Sequence, residues 1–397
     1  MTTADRWLLP DGIDEILPPQ AAKLEQLRRE LLDLYTSWGY EQVFPPLVEY
    51  LESLLTGAGH DLELQTFKLT DQLTGRMMGV RADMTTQVAR IDAHTLGRQG
   101  VNRLCYAGHV LHAKPETLGA SRSLIQIGAE LYGHAGIASD IEIIDLMLET
   151  LARAGCDELH LDLGHVGIYR ALAAEAGLEP DQEWQLFGMF QRKAVPELKA
   201  FLERQVPVAS VRGMLQALVT MAGDASVLER ARQALSGAPT QVQTALADLQ
   251  RIAAALESRH PRVNLYFDLG ELRGYHYHTG TVFSAYVPGM GQAIANGGRY
   301  DHIGEVFGRA RPATGFSTDL AVLIQRRHSA PVATRIFAPR VEASRAAALQ
   351  QAIAGLRARG RVVVQALDGD QTPVELGCTQ QLVPAGGDWV CEPVTNS

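Results

Sequence analysis

The chain has 397 residues, 46% hydrophobic and 20% charged, a composition that buries a sizeable core and is neither disordered nor membrane-embedded. Its formal charge of −9 argues against general attraction to nucleic-acid backbones. Cys105, Cys156, Cys378 and Cys391 lack metal-ligand spacing, no apolar run reaches the roughly 18 residues of a spanning helix, and Asp5, Arg6 and Asp11 leave no apolar leader, so a cytoplasmic protein with reduced thiols and no metal is expected.

After Pro18-Pro19, the residues Leu24, Leu27, Leu31, Leu34 and Trp38 recur every three or four positions and predict a helix that Gly39 ends. Val43, Phe44, Leu47 and Val48 then surround Pro45-Pro46 within a strand from Tyr40 to Tyr50; proline has no N–H for a ladder, so this strand belongs at an edge or an interface. Phe67-Lys68-Leu69 and Met77-Met78-Gly79-Val80 flank a turn-rich stretch and predict a hairpin. A helix from about Thr86 to Leu96, strands at Asn102 to His112 and Ser123 to Tyr132, and a helix from about Ser139 to Ala154 follow. Strands and hairpins interleaved with helices, without regular βαβ units, argue for an α+β domain on an antiparallel sheet.

From Val166 to about His260 the chain turns to Leu, Ala, Gln, Glu and Arg punctuated by Pro180, Pro196, Pro207 and Pro239, which predicts an all-helical insertion; Ser226 and Glu229 fit a capping box within it. Strand character returns where Val263, Leu265, Phe267 and Leu269 alternate, and again from Thr281 to Val287 before the glycine-rich Asn296-Gly297-Gly298-Arg299-Tyr300. From about Pro331 a strand at Arg335 to Ala338, a helix from Ser344 to Arg359 and a strand at Arg361 to Ala366 make a βαβ-like piece. The expected organisation is a core of residues 1–165 and 261–328, a helical insertion at 166–260 and a C-terminal module at 331–397.

Several of these segments are landmarks. Trp38-Gly39-Tyr40-Glu41 through Tyr50 resembles motif 1 of the class II aminoacyl-tRNA synthetases, with Pro46 at the place of the dimer-interface proline. Tyr106 to Gly133 is similar to motif 2 and its loop. Arg273-Gly274-Tyr275-His276-Tyr277-His278 resembles the histidine-specific Arg-Gly-Leu-Asp-Tyr-Tyr signature, and Gly297-Gly298-Arg299-Tyr300-Asp301 follows at the family's spacing. The last pair is the specific one, since two unrelated turns would have to reproduce both sequences and their separation. Over about residues 5 to 325 the chain therefore resembles histidyl-tRNA synthetase. The resemblance implies an α+β fold, an antiparallel sheet flanked by helices, with a helical insertion and a C-terminal α/β module that is a truncated relative of the anticodon-binding domain.

Measured against that family, the activation chemistry is missing. Adenylate formation needs arginine forks on a negatively charged α-phosphate. In the motif 2 Phe-Arg-x-Glu pattern His112 stands for the arginine and Lys114 for the glutamate that contacts adenine; in motif 3 Val322 stands for the second arginine and Asp319 for a glycine, while Arg122, Arg326 and Arg327 lie off the required positions. A mostly neutral imidazole cannot copy a bidentate cation, and lysine accepts no hydrogen bond. Residue types suited to free histidine remain: Asp83 and Thr85 for the amino group, Gln126 and Glu130 on the motif 2 strand with Glu130 facing the imidazole, and Arg273 and Tyr277 from the signature, Arg273 for the carboxylate; His278 replaces a tyrosine.

A synthetase scaffold without activation chemistry, and the variant signature at Glu271 to His278, resemble the regulatory subunits of ATP phosphoribosyltransferase, the HisZ family. That resemblance implies a non-catalytic chain that binds and activates the short catalytic subunit, confers feedback inhibition by histidine, forms a homodimer core within a hetero-oligomer, and needs no cofactor, tRNA or membrane. The alternative is a divergent, active histidyl-tRNA synthetase.

Overall fold

A computed structural model describes residues 7–56, 60–115, 117, 119–275, 277–327 and 334–394; Asp5, Arg6, His276 and Pro331 lie outside them, as does the side chain of His60. The chain divides into two compact units, Met1–Arg327 and His328–Ser397. In chain order the first begins with α1 (Gln20–Ser37), β1 (Glu41–Gln42), β2 (Val48–Tyr50), α2 (Leu51–Leu55), α3 (His60–Gln65), β3 (Phe67–Thr70) and β4 (Met77–Val80). Next come α4 (Thr85–Arg90), a π-helical turn at Ile91–Leu96, β5 (Asn102–Leu111), β6 (Ser123–Tyr132), α5 (Ile137–Arg153) and β7 (His160–His165). A helical stretch follows, α6 (Val166–Ala176), α7 (Pro180–Gln191), α8 (Val195–Gln205), α9 (Ala209–Leu218), the short β8 (Ala222–Gly223), α10 (Ser226–Ala234) and α11 (Thr240–Arg259). The unit closes with β9 (Asn264–Asp268), β10 (Thr281–Tyr286), β11 (Ala295–Arg299), β12 (Ala313–Asp319) and α12 (Leu320–Leu323).

A nine-stranded sheet in the order β1-β5-β6-β12-β11-β10-β7-β9-β8 organises the first unit. It is antiparallel through its centre, as the alternation of hairpins predicts, but the pairs β1–β5 and β7–β9 are parallel because helices connect those strands. Period-two alternation assigns the faces. On β6, Ile125, Ile127, Ala129 and Leu131 join Leu24, Leu27 and Leu31 of α1 and Ile143, Leu146 and Met147 of α5 in one core, while Gln126, Gly128 and Glu130 take the opposite face. Along α11, Val242, Leu246, Leu249, Ile252 and Leu256 extend the same core through the helical stretch.

Three expectations are corrected here. Tyr40 to Tyr50 is not one strand: β1 joins the large sheet, β2 joins a separate three-stranded sheet β2-β4-β3, and Pro45-Pro46 bridges them. Without N–H groups the prolines contribute only acceptors, Pro45 to an Arg81 guanidinium N–H at 2.6 Å and Pro46 to Gln87 Nε2 at 2.8 Å. At the start of α10 Ser226 is not a capping box partner; Asp224 accepts its backbone N–H at 3.0 Å, whereas the box forms at α7 between Glu179 and Gln182. Beyond Ala366 the second unit continues: β13 (Arg335–Ala338), α13 (Ala343–Ala358) and β14 (Val362–Gln365) are joined by the hairpin β15 (Gln380–Ala385) and β16 (Asp388–Pro393), in the sheet order β14-β13-β15-β16. The overlooked signal is Gly386-Gly387, whose φ angles of +59° and +97° make the hairpin turn. Among the described residues no helix is long and apolar enough to cross a membrane.

The floor of the sheet is tied to the π-helical turn by a buried ion pair. Arg311 donates to both carboxylate oxygens of Asp92 at 2.9 Å, and Asn102 and the Gly100 carbonyl complete the cluster. Removing one member leaves a buried charge unpaired, so Arg311→Ala is expected to lose about 3 kcal/mol or more, read as a lower urea midpoint.

Candidate functional site

A cleft of about 240 Å³ opens on the face of β6, β12 and β11 opposite the α1–α5 core, lined by Asp83, Thr85, Glu130, Tyr277, Tyr300 and Ser317 among others. Its deepest group is Glu130, 1% exposed. Tyr106, opposite Gly128 across the β5–β6 ladder, donates its hydroxyl to Glu130 Oε1 at 2.9 Å, and the hydroxyl of Tyr300 donates to Oε2. Glycines make this room: a Cβ on Gly315, which pairs with Glu130 across β12, would collide with its carboxylate, and one on Gly128 would stand 2.6 Å from the Tyr106 hydroxyl. Burial pushes the Glu130 carboxyl up to about 8; the two tyrosine donors oppose the shift and the charge of Asp83 adds to it.

Asp83 and Thr85 stand where the chain turns from β4 into α4. Gln126 orients this end: its Nε2 donates to Asp83 Oδ1 and to Ser317 Oγ at 3.1 Å, and its Oε1 accepts the Met84 N–H at 2.9 Å. Thr85 Oγ1 lies 3.3 Å from Asp83 Oδ1 and 3.3 Å from the Tyr106 hydroxyl, joining the two carboxyl groups into one polar network. Tyr277 stacks on Tyr300, ring centroids 4.8 Å apart, and its hydroxyl is buried without a hydrogen-bond partner among the described residues. Such a cleft suits a ligand carrying a cationic amino group and a ring able to hydrogen-bond to a carboxyl.

Five of the six expected site residues, Asp83, Thr85, Gln126, Glu130 and Tyr277, are thus brought together. Arg273 is not. Its guanidinium lines the neighbouring cavity, on the far side of His278, Asn296 and Gly297, where it donates to Ser284 Oγ at 2.7 Å, Asn296 Oδ1 at 3.2 Å and the Tyr286 hydroxyl at 3.1 Å, facing Glu271. Three short-range acceptors on β10 and β11 outcompete the open cleft for its donors, so the carboxylate role expected of Arg273 is not borne by this geometry. Among the described residues no arginine or lysine lines the cleft.

At the positions that the sequence resemblance sets against the family's arginines, the side chains make local contacts. His112 is buried, its Nε2 3.0 Å from the Ala82 carbonyl, and Val322 packs against the main core. Asp319 accepts the backbone N–H groups of Ile125 and Ala321, both at 3.0 Å, and caps α12 instead of projecting into the cleft. Lys114 is exposed. Arg122 donates to the carbonyls of His112 and Asp11, and Arg327 pairs with Glu30. Sequence reasoning missed Tyr106 and Tyr300 as the clamp on Glu130; the available signal was a glutamate flanked by alanine and leucine on a mostly apolar strand, which needs buried donors from its neighbours.

This fold and cleft define a histidyl-tRNA synthetase-like protein, and residues 12–323 match the family model described as histidyl-tRNA synthetase. Residues 333–392 match the ATP phosphoribosyltransferase subunit HisZ C-terminal domain. The chain is 57% identical to the ATP phosphoribosyltransferase regulatory subunit of Pseudomonas aeruginosa (strain LESB58), with 100% of both chains covered. It is 58% identical to that of Thioalkalivibrio sulfidiphilus (strain HL-EbGR7), covering 96% of this chain and 97% of the relative. A crystal structure from Bacillus halodurans C, described as an ATP phosphoribosyltransferase regulatory subunit/histidyl-tRNA synthetase, matches with a TM-score of 0.81 at 27% identity over 94% of this chain and 96% of that one. Histidyl-tRNA synthetase from Nostoc sp. PCC 7120 shares the fold, with a TM-score of 0.78 at 17% identity over 98% and 97% of the two chains. The chain belongs to the family of ATP phosphoribosyltransferase regulatory subunits, and its role in histidine biosynthesis is regulatory.

The raised Glu130 carboxyl makes stability depend on pH. The folded chain holds this proton up to about pH 8, whereas an exposed glutamate releases it near the ordinary value of 4.5. The stabilisation is therefore complete below about pH 4.5 and is lost as pH rises through about 8, at up to about 1.4 kcal/mol per pH unit. Glu130→Gln, which cannot ionise, should flatten the fall in melting temperature between about pH 5 and 8 relative to wild type.

Proposed function

We propose that this regulatory subunit binds free L-histidine in the Glu130 cleft, binds and activates a short-form ATP phosphoribosyltransferase catalytic subunit, and passes cleft occupancy to that partner as feedback inhibition. The observation that carries the reading is a cleft lined by two carboxyl groups and, among the described residues, by no arginine or lysine: in this reading Asp83 and Thr85 receive the ammonium, and Glu130 receives the imidazole. Arg273 has no part in this binding scheme. Such control is a coupling free energy of about 1 to 3 kcal/mol between the effector and the partner's active site.

The chain itself neither activates nor transfers an amino acid in this reading. Losing one positioned charge-stabilising donor lowers a rate by roughly a hundredfold to a thousandfold, and here two are replaced, by His112 and Val322. Cytoplasmic location and independence of tRNA and cofactors belong to the same proposal. Self-association through the Pro46 segment is supported by its neighbours: Phe44 is 76% and Leu47 46% exposed.

Purified protein is expected to show no histidine-dependent ATP–pyrophosphate exchange; measurable exchange ends the non-catalytic reading. Light scattering at micromolar concentration should find a dimer, and Phe44→Asp with Leu47→Asp should shift it toward monomer. In the complex with the catalytic subunit, Glu130→Gln should raise the inhibitory concentration of histidine by roughly fivefold to a hundredfold with activation retained, because leaving a buried hydrogen-bonding group without its partner costs about 1 to 3 kcal/mol. Unchanged inhibition would place the effector outside this cleft.

A further inference from the structure

One wall of the cleft is held from outside. The segment from Asp268 to Gly280 runs between the cleft and the helical stretch 166–260, and the helices grip it at several points. At its start Asp268 accepts from Lys193, a non-glycine residue held at φ +49° in the turn between α7 and α8, and the Leu269 N–H donates to the Met221 carbonyl at 3.0 Å. In its middle the Tyr275 ring enters the helices, edge-on to Tyr169 at 5.3 Å and 5.2 Å from Phe187, with its hydroxyl 3.3 Å from Glu183 Oε1.

Arg170 of α6 closes the grip. Its guanidinium carbon lies 4.9 Å from the centroid of the Tyr275 ring, and Nη2 donates to the carbonyl of Tyr275 at 2.9 Å and of His278 at 3.1 Å. These two carbonyls bracket Tyr277, the residue that stacks on Tyr300, which in turn donates to Glu130. The adjoining His278 ring is seated between two glycines: a Cβ on Gly274 would strike it, and one on Gly298 would come within 2.6 Å. With the backbone on either side fixed and the rings packed, the unpartnered Tyr277 hydroxyl is held in one place.

We infer that Arg170 is a positioning residue for ligand binding in the Glu130 cleft: by clamping the carbonyls on either side of Tyr277 it sets Tyr277 and His278, and it ties the helical stretch to the occupancy of the cleft. This rests on the cleft reading above. Arg170 and Tyr275 do not line the cleft, so their effect on binding is indirect and passes through Tyr277.

The test is calorimetric titration of the full-length protein with L-histidine. Arg170→Ala is expected to weaken binding by about fivefold to tenfold, the loss of a hydrogen-bonded cation felt through one residue, and Arg170→Lys, which keeps the charge and can reach one carbonyl, to recover part of it. In a Tyr277→Ala background, Arg170→Ala should add little, because the residue it positions is gone. Wild-type affinity in Arg170→Ala alongside weakened binding in Glu130→Gln overturns the inference and leaves the cleft reading standing; wild-type affinity in both overturns both. Fully additive effects of Arg170→Ala and Tyr277→Ala also overturn it. If Arg170→Ala fails to fold, Arg170→Lys decides the matter, with a wild-type melting temperature and about threefold weaker binding expected, and wild-type affinity the contrary result.

Discussion

Everything specific about this molecule is arranged around one carboxyl group that water does not reach. Glu130 sits toward the end of β6 in the β5–β6 hairpin, and a buried carboxyl is tolerated only where hydrogen-bond donors meet it. Tyr106 and Tyr300 supply them, from the next strand and from the chain beyond β11; Tyr106 needs the space that Gly128 leaves, and the Glu130 carboxyl itself needs the space that Gly315 leaves. Four positions far apart in the chain are thus bound to one another by a single group. The same burial raises the proton affinity of Glu130.

The residues that the sequence resemblance sets against the phosphate-binding positions of histidyl-tRNA synthetase belong to the protein's own packing. Val322 enlarges the core, His112 bonds a carbonyl at the β4–α4 junction, and Asp319 caps α12 with two backbone amides. Each of these side chains makes a local contact within the scaffold.

The helical stretch between β7 and β9 has a comparable double use. Its apolar faces share one core with the sheet, and its inner residues Arg170, Tyr169 and Phe187 hold the back of the segment whose front lines the cleft. Rigid contact on both sides of one loop is the arrangement by which occupancy of a small site is felt by a larger element.

Local pattern was enough for much of this. The three-to-four spacing of α1, the alternation on β6 and the strands flanking α13 were legible because period and propensity act within a few residues, and the paired signatures at Arg273 and Gly297 placed the chain beside histidyl-tRNA synthetase with its two arginines missing. The split of Tyr40–Tyr50 between two sheets was not legible, since which partner a strand finds depends on chain brought in from β4 and β5. Nor was the fate of Arg273: its sequence position matches the signature, but a long flexible cation goes to whichever acceptors lie nearest in space, and Ser284, Asn296 and Tyr286 are set by the pairing of β10 with β11. The clamp on Glu130 was hidden for the same reason, because Tyr106 and Tyr300 become its neighbours only across strands. Sequence by itself determined the family and most of the periodic elements; tertiary structure alone decided which side chains share a cavity, because hydrogen bonds and burial are settled by distance in space and not by separation along the chain.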